Sequence, residues 1–428
     1  MSRGMVWFRN DLRTTDHEAL KRASIHHNEL IGLYCFDPRH FIKDKFGFIK
    51  TGKFRAKFLI ETVKELKQNL QKLNIPLLVY LKEPEIIIPD LIFKYTIDSV
   101  YFQKEWTQQE KEVEEGLKLK SGKVKFHSYY QQFLYHPEDI PYDSFQETPR
   151  IFTEFRKACE IKTEVKNLIE SPNPLSDSFI SNNTQIPNLK DLGLEEFQED
   201  PRSAFPFQGG EDQAKKRIES YFWETQNLSK YKGTRNGLIG EEYSSKLSAW
   251  LANGSISPRQ IYYEVIKYEK EIESNQSTYW LIFELIWRDF FKYVSLKHGN
   301  KIFQLRGILN NDLEWHRDDQ KLKEWISGNT SEDFVNANMK EIAATGFMSN
   351  RGRQNVNSYW AKELKQDWRI GAAYFESQLI DYDVHNNWGN WMYNSGVGND
   401  PRDRKFNIKS QAERYDPNNE YQDLWLKN

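Results

Sequence analysis

The chain has 428 residues, a length that supports two or three domains and at least one large core. Its 60 basic and 62 acidic residues leave a net charge of −2, which excludes a globally basic nucleic-acid coat but not a local basic groove. The two cysteines, Cys35 and Cys159, are far apart and lack neighbouring ligands, which excludes a disulfide scaffold or metal knuckle and points to a reducing compartment.

The N-terminus, MSRGMVWFRNDLR, carries arginines where a secretory signal needs an apolar run, and no stretch approaches about 18 apolar residues. A cytoplasmic protein without membrane contact is expected, and a monomer. The aromatic load is heavy: 13 tryptophans, 22 tyrosines and 27 phenylalanines, in a chain whose mean hydropathy is −0.78.

The first third alternates strand-length apolar runs, Met5–Phe8, Leu30–Phe36, Leu77–Tyr80 and Ser99–Phe102, with amphipathic stretches such as 54–73. This pattern predicts a parallel sheet covered by helices on both faces, and the absence of GxGxxG after the first strand removes the usual dinucleotide fingerprint. From 136 to 205 the pattern degrades into Ser-, Asn- and Pro-rich chain, as in SPNPLSDSFISNNTQIPNLKD, which reads as a long connection. Residues 1–135 therefore form an α/β domain, 136–205 a linker and 206–428 an all-α domain.

In the last part, Ser257 followed by Pro258 predicts a capped helix start. Ser277 opens a run apolar on nearly all sides that stops at Gly299, the pattern of a central buried helix, and Ser331 is expected to cap a helix ending at Gly346.

Four stretches carry chemistry. Within FELIWRDFF, Glu284, Trp287 and Arg288 share one helix face, so they form either an internal Glu284–Arg288 ion pair or a polar site with an aromatic wall. GFMSNRGRQN (346–355) places Arg351 and Arg353 at a helix N-terminus, a solvated loop or an anion site. The stretch 379–407 brings Asp381 and Asp383 near several asparagines and rings, followed by the basic residues Arg402, Arg404 and Lys405, with Lys409 beyond; it reads as a solvated turn or a nucleic-acid groove, and no metal is expected. Ser244, Ser245 and Ser248 could simply cap a helix or hold a diphosphate.

Taken together and in order, these motifs resemble the photolyase/cryptochrome family, and most closely its cryptochrome DASH group. The resemblance runs from WFRNDLRTTDHEAL through TRNGL, SSKLSAWLANGSISPRQ, FELIWRDFF, TGFMSNRGRQN, DWRIGAAYFESQLIDYD and NNWGNW to GVGNDPRDRKFNI and YDPNNEYQDLWL. It implies an N-terminal Rossmann-like α/β domain joined to an all-α domain that holds FAD, and blue-light-driven repair of cyclobutane pyrimidine dimers by electron transfer from reduced FAD.

By position, the resemblance assigns Tyr231, Ser244, Ser245, Lys246, Leu247 and Ser248 to the FAD phosphates, with lysine where many photolyases carry arginine. It places Arg288, Asn350, Arg353, Asp381 and Asp383 around FAD, and Asn387 opposite flavin N5. Asparagine there, where plant cryptochromes carry aspartate, favours repair over signalling. Trp391, Trp368 and Trp315 match the electron-transfer chain to the surface.

Glu284 and Trp287 match groups that contact the flipped-out dimer, with Asn387 completing the catalytic set. Arg235, Gln354, Tyr393, Arg402 and Arg404 belong to the DNA side. Tyr393 replaces a wall tryptophan and Gln354 a frequent methionine, which implies preference for single-stranded DNA. Glu105 and Lys301 match positions that hold a 5,10-methenyltetrahydrofolate antenna, while His17 stands where the family usually has asparagine.

The alternative is a photoreceptor that binds DNA or a protein and signals through flavin photoreduction; the absence of a long tail after the last helical motif argues against it. A silent flavin-binding module would have lost Glu284, Trp287 or Asn387, and all three are present.

Overall fold

The computed structural model describes residues 2–176 and 180–427; three residues of the expected linker, 177–179, lie outside it. Five parallel strands, β1 (Arg3–Phe8), β2 (Glu29–Phe36), β3 (Leu77–Leu81), β4 (Ser99–Gln103) and β5 (Lys125–Tyr129), form one sheet in the order β3-β2-β1-β4-β5. Met5 pairs with Ile31 on one side and Val100 on the other.

Side chains alternate across each strand, so one sheet feeds two cores. Val6, Phe8, Tyr34 and Val79 pack beneath α1 (Glu18–His26) and α2 (Lys53–Gln71), whereas Met5, Trp7, Leu33 and Leu78 pack beneath α3 (Pro84–Tyr95) and α4 (Gln108–Lys120). The four expected strands form within a residue or two of their apolar runs. The fifth escapes a hydrophobicity reading because KFHSY is a half-solvated edge strand rich in polar residues.

The connection after β5 is not structureless. It contains a 3₁₀ turn at Phe145–Glu147 and a helix, α5 (Phe152–Lys162), whose Phe152, Phe155 and Cys159 are buried.

Helices then follow one another: α6 (Glu211–Ile218), α7 (Tyr231–Thr234), α8 (Ser248–Asn253), α9 (Pro258–Glu271), α10 (Gln276–His298), α11 (Asp319–Ser327), α12 (Asp333–Thr345), α13 (Asn350–Ser358), α14 (Trp368–Gln378), α15 (Val384–Ser395), α16 (Ile408–Tyr415) and α17 (Glu420–Leu426). Ser257 caps α9 in a reciprocal capping box with Gln260. The central helix α10 begins slightly earlier than expected, because Asn275 rather than Ser277 accepts the first free amides. Helix α12 starts after Glu332, not at Ser331, whose hydroxyl instead pairs with that of Tyr359 at 3.2 Å.

The WFRNDLRTTD motif joins the two halves. The Asp16 carboxylate accepts from the Ser257 hydroxyl at 2.5 Å and from Arg259 at 2.7 Å, and Arg13 donates to the Gly254 carbonyl at 2.9 Å. In return, Glu211 of α6 accepts from the Thr14 amide at 2.7 Å. His17 has a local role: its Nδ1 caps α1 by accepting from the Leu20 amide, and its Nε2 lies 3.1 Å from Asp11. A short buried polar network of this kind fixes how one half sits on the other.

Candidate functional site

The helical half encloses a cavity of about 490 Å³, within the range of ligand sites, and a smaller one of about 70 Å³ beside it. Tyr231, Arg235, Ser244, Ser245, Lys246, Leu247 and Ser248 line the larger one from α7 and the turn into α8. Glu284, Trp287 and Arg288 line it from α10, and Asn350, Arg353 and Gln354 from α13. Asp381, Asp383, Tyr393 and Arg404 close the remaining side. Asn387 and Trp391 line the smaller cavity, which shares Arg353, Asp381 and Asp383 with the larger.

The turn before α8 is built for close contact. Lys246 takes a left-handed backbone with φ +60°, a conformation that costs a non-glycine residue energy and persists where surrounding structure enforces it. Its buried Nζ has no hydrogen-bond partner among the described residues and sits over the rings of Tyr243, at 3.2 Å, and Phe347, at 4.6 Å. Burial pushes this amine well below its ordinary pKa, with Glu341 opposing the shift. A buried lysine without an acceptor, beside three serines and a helix start, fits a phosphate group that would supply the missing acceptor and counter-charge.

Arg217 of α6, which sequence reading overlooked, holds this turn in place: it donates to the carbonyls of Glu241, Ser244 and Ser245 at 3.0 to 3.1 Å and pairs with Glu242 at 2.7 Å. No local signal marks it, because its partners come from the following loop.

On the opposite side, Ser349 caps α13, accepting from the Gly352 amide. Arg353 is committed: its Nη2 donates to both oxygens of Asp381 at 2.9 Å and its Nε to the Met348 carbonyl. Asp383 caps α15 and accepts from Lys292 at 2.7 Å. Burial pushes the Asp383 carboxyl up, but Lys292, aided by His385 and Arg288, overrides it and holds the group well below the usual carboxylate range. Lys292 was also missed, being a cation hidden in the apolar run of α10. Asn387 donates to the Ala372 carbonyl at 3.0 Å.

The charged triplet of α10 separates in an unforeseen way. Glu284 and Arg288 do not pair. Arg235 of the α7 C-terminus pairs with Glu284 at 2.7 Å, while Arg288 donates to the carbonyls of Gln132 and Leu251 and Asp289 accepts from the amides of Leu134 and Tyr135. The central helix therefore spends two charges on gripping the segment after β5 and turns a third, Glu284, to the cavity. Burial raises the Glu284 carboxyl above its ordinary value, and Arg235 opposes the shift. Beside it, Trp287 meets Tyr393 edge-on at 5.8 Å.

The three tryptophans singled out by resemblance differ in setting. Trp391 and Trp368 are fully buried, the former against Gly371, and Trp315 is half-buried in the loop before α11. Trp391 also meets Trp325 edge-on at 6.3 Å, and Trp368 meets Trp388 at 5.7 Å.

Glu105 is buried after β4 and accepts from Gln103 at 2.8 Å, whereas Lys301 is exposed in the turn after α10. The basic rim is partly neutralised. Arg404 pairs with Asp400 and reaches the Tyr393 hydroxyl at 3.3 Å, Lys405 pairs with Glu363, and Arg402 is exposed.

A Rossmann-like sheet domain gripping a helical domain whose central cavity carries a phosphate-fitting turn has the layout of a nucleotide-cofactor protein, and the comparisons with known proteins narrow the class. The family description DNA photolyase matches residues 5–174, and FAD binding domain of DNA photolyase matches residues 280–428. Cryptochrome DASH of Xenopus laevis is 46% identical over 98% of this chain and 81% of its own length, and that of Gloeobacter violaceus is 46% identical over 99% and 85%. Among solved structures, the Synechocystis sp. PCC6803 cryptochrome superposes with a TM-score of 0.96 at 45% identity, covering 100% of this chain and 89% of that one. A class III photolyase from Agrobacterium tumefaciens gives 0.84 at 25% identity, covering 100% and 87%. The chain belongs to the photolyase/cryptochrome family. No helix among the described residues is long and apolar enough to cross a membrane.

Proposed function

We propose that this protein binds FAD in the large cavity and uses blue light to split cyclobutane pyrimidine dimers, preferentially in single-stranded DNA. The observation that carries the reading is that one continuous cavity is lined both by the phosphate-fitting turn and by Glu284, Trp287 and Arg235. A flavin and a flipped-out pyrimidine dimer could thus share it.

In this reading Ser244, Ser245, Ser248 and Lys246 hold the diphosphate, while Asn350, Arg353, Asp381, Asp383, Arg288 and Asn387 surround the rest of the cofactor. Bound there, FAD supplies light absorption and the transferable electron. The protein supplies the remainder. Trp287 offers a stacking face to an extruded pyrimidine, and Glu284 hydrogen-bonds a pyrimidine carbonyl and stabilises charge developing on it. Arg235 fixes the Glu284 carboxyl, and Arg402 and Arg404 track phosphates at the rim.

Gln354 and Tyr393 make the wall less aromatic and more polar than a two-tryptophan wall, so less of the base-flipping cost is recovered. Single strands, which lose less stacking, are favoured. Trp391, Trp368 and Trp315 carry electrons from the surface to the flavin. Glu105 and Lys301 are the candidate contacts for a methenyltetrahydrofolate antenna, and the domain limits near 135 and 206 follow the same reading, as do a cytoplasmic location and a monomer.

The test is to illuminate the flavin-loaded protein with thymine-dimer oligonucleotides, single- and double-stranded, and to count restored thymines. Restoration in single strands supports the reading. No repair of either sinks the enzyme claim, and efficient duplex repair sinks the strand preference.

A further inference from the structure

Helix α5 belongs to the connection between the halves, yet its first turn packs directly behind the cavity wall. On α10, Tyr279, Phe283 and Trp287 recur every four residues and share one face. Two residues of α5, Phe152 and Arg156, cover that stripe, and Phe155 packs beside it. The Phe152 ring lies face to face on Trp287, with centroids 3.6 Å apart and planes 11° apart, and meets Phe283 edge-on at 5.2 Å. Phe155 leans on Phe290 at 5.5 Å, and Arg156 sits 5.4 Å above Phe283 while donating to the Tyr279 hydroxyl at 3.0 Å.

Phe152 is 6% exposed and lines neither cavity, so a ligand there cannot touch it. Trp287, by contrast, is half-buried and lines the larger cavity. An indole at a cavity wall must otherwise lose rotamer freedom each time a base stacks on it, and a wall held in its bound orientation avoids that loss.

We propose that Phe152 is a positioning residue: by stacking on the rear face of Trp287 it pre-sets the indole plane against which a damaged pyrimidine pair stacks. A residue of the interdomain connection thereby sets lesion discrimination. The inference rests on the reading of Trp287 as the lesion wall. It predicts that Phe152 governs affinity for the damaged strand and leaves the flavin site and the rim alone.

The test uses the full-length, flavin-loaded protein and fluorescence anisotropy with labelled single strands that carry or lack one thymine dimer. Phe152→Ala leaves a cavity and can unfold the chain, so Phe152→Leu, which keeps an apolar filling without a ring, is the working variant. Phe152→Leu should lower the preference for the damaged strand about five- to tenfold, the size of a lost aromatic pair. Affinity for the undamaged strand and flavin content should hold, and the repair yield per photon at saturating substrate should stay within about twofold. Phe152→Tyr, which still stacks, should restore the preference.

A merely structural role would lower flavin content and weaken both strands in parallel. A Leu variant that keeps its preference, or loses both strands together, overturns the proposal. A wild-type protein with no preference overturns the reading of Trp287 itself, and this inference with it.

Discussion

The Lys292–Asp383 pair offers the sharpest stability test. Both side chains are almost fully buried, at 4% and 11% exposure, and Nζ lies 2.7 Å from Oδ2. Asp383 also accepts from the amide and side chain of Asn386 at 2.9 Å, so its charge is well satisfied only while Lys292 is present. Lys292→Met should cost about 3–5 kcal/mol at pH 7, the penalty for leaving a buried carboxylate unpaired. Asp383→Asn should cost a similar amount by stranding the lysine.

The double variant, with an apolar chain facing a neutral amide that still caps α15, should fall within about 2 kcal/mol of wild type, giving strong non-additive coupling. The pH dependence has a definite sign. In the wild type the Asp383 carboxyl is depressed, so its contribution is present above the unfolded value of about 3.9 and lost as pH falls toward the folded one. In Lys292→Met the largest cause of that depression is gone, the buried carboxyl takes up a proton at a higher pH than in the wild type, and the penalty should shrink from pH 7 to pH 5. Urea unfolding of the four proteins at both pH values measures this. Additive single costs, or a penalty for Lys292→Met that is equal at pH 5 and pH 7, would refute the reasoning.

Three further outcomes follow. Burial raises the Asp289 carboxyl to about 7, with Arg288 opposing, so its neutral form contributes stability below about pH 4 that is lost as pH rises through 7. Because Oδ2 already accepts both amides and Oδ1 has no partner among the described residues, Asp289→Asn should match wild type below about pH 4 and exceed it increasingly up to pH 8, there by a few kcal/mol, on the order of a three-unit shift, in denaturant titrations. Glu284→Ala should keep bound flavin while lowering dimer-splitting yield at saturating substrate about a hundredfold, the scale of a lost charge-stabilising donor; an unchanged yield removes Glu284 from the chemistry. Trp391→Phe should slow flavin photoreduction by an added thiol yet spare repair when reduced FAD is supplied, and unaffected photoreduction contradicts the assigned electron path.

Local signals carried much of the fold. The apolar runs located four strands, and Ser257–Pro258 and the Gly299 stop each rest on backbone chemistry that a few adjacent residues determine. Readings failed where the decisive partner was remote. Nothing near Glu284 announces Arg235, about fifty positions upstream, and the i, i+4 spacing left an Arg288 ion pair and a polar site as open alternatives, whereas the fold spends Arg288 on carbonyls of Gln132 and Leu251. Strand β5 was missed because an edge strand needs little apolar surface, and α5 because a Ser/Asn/Pro-rich neighbourhood masks a short helix whose burial comes from α10. Lys292 and Arg217 were invisible for the same reason: each is a cation whose meaning lies in tertiary partners. Several of the motifs that carried the family resemblance, SSKLS, FELIWRDFF and SNRGRQN among them, line the cavity, and Asp16 of the first motif lies at the contact between halves.

The central claim is that flavin and lesion share one cavity and react there under light. The direct measurement is a single-turnover flash on protein whose FAD has been reduced, mixed without oxygen with a single-stranded oligonucleotide bearing one thymine dimer, followed by chromatographic counting of intact thymines. The account predicts restored thymines in wild type, scaling with photons absorbed, and loss of that yield in Glu284→Ala at equal flavin content. Bound, photoactive flavin with no thymine restored would contradict it and leave the photoreceptor reading in its place.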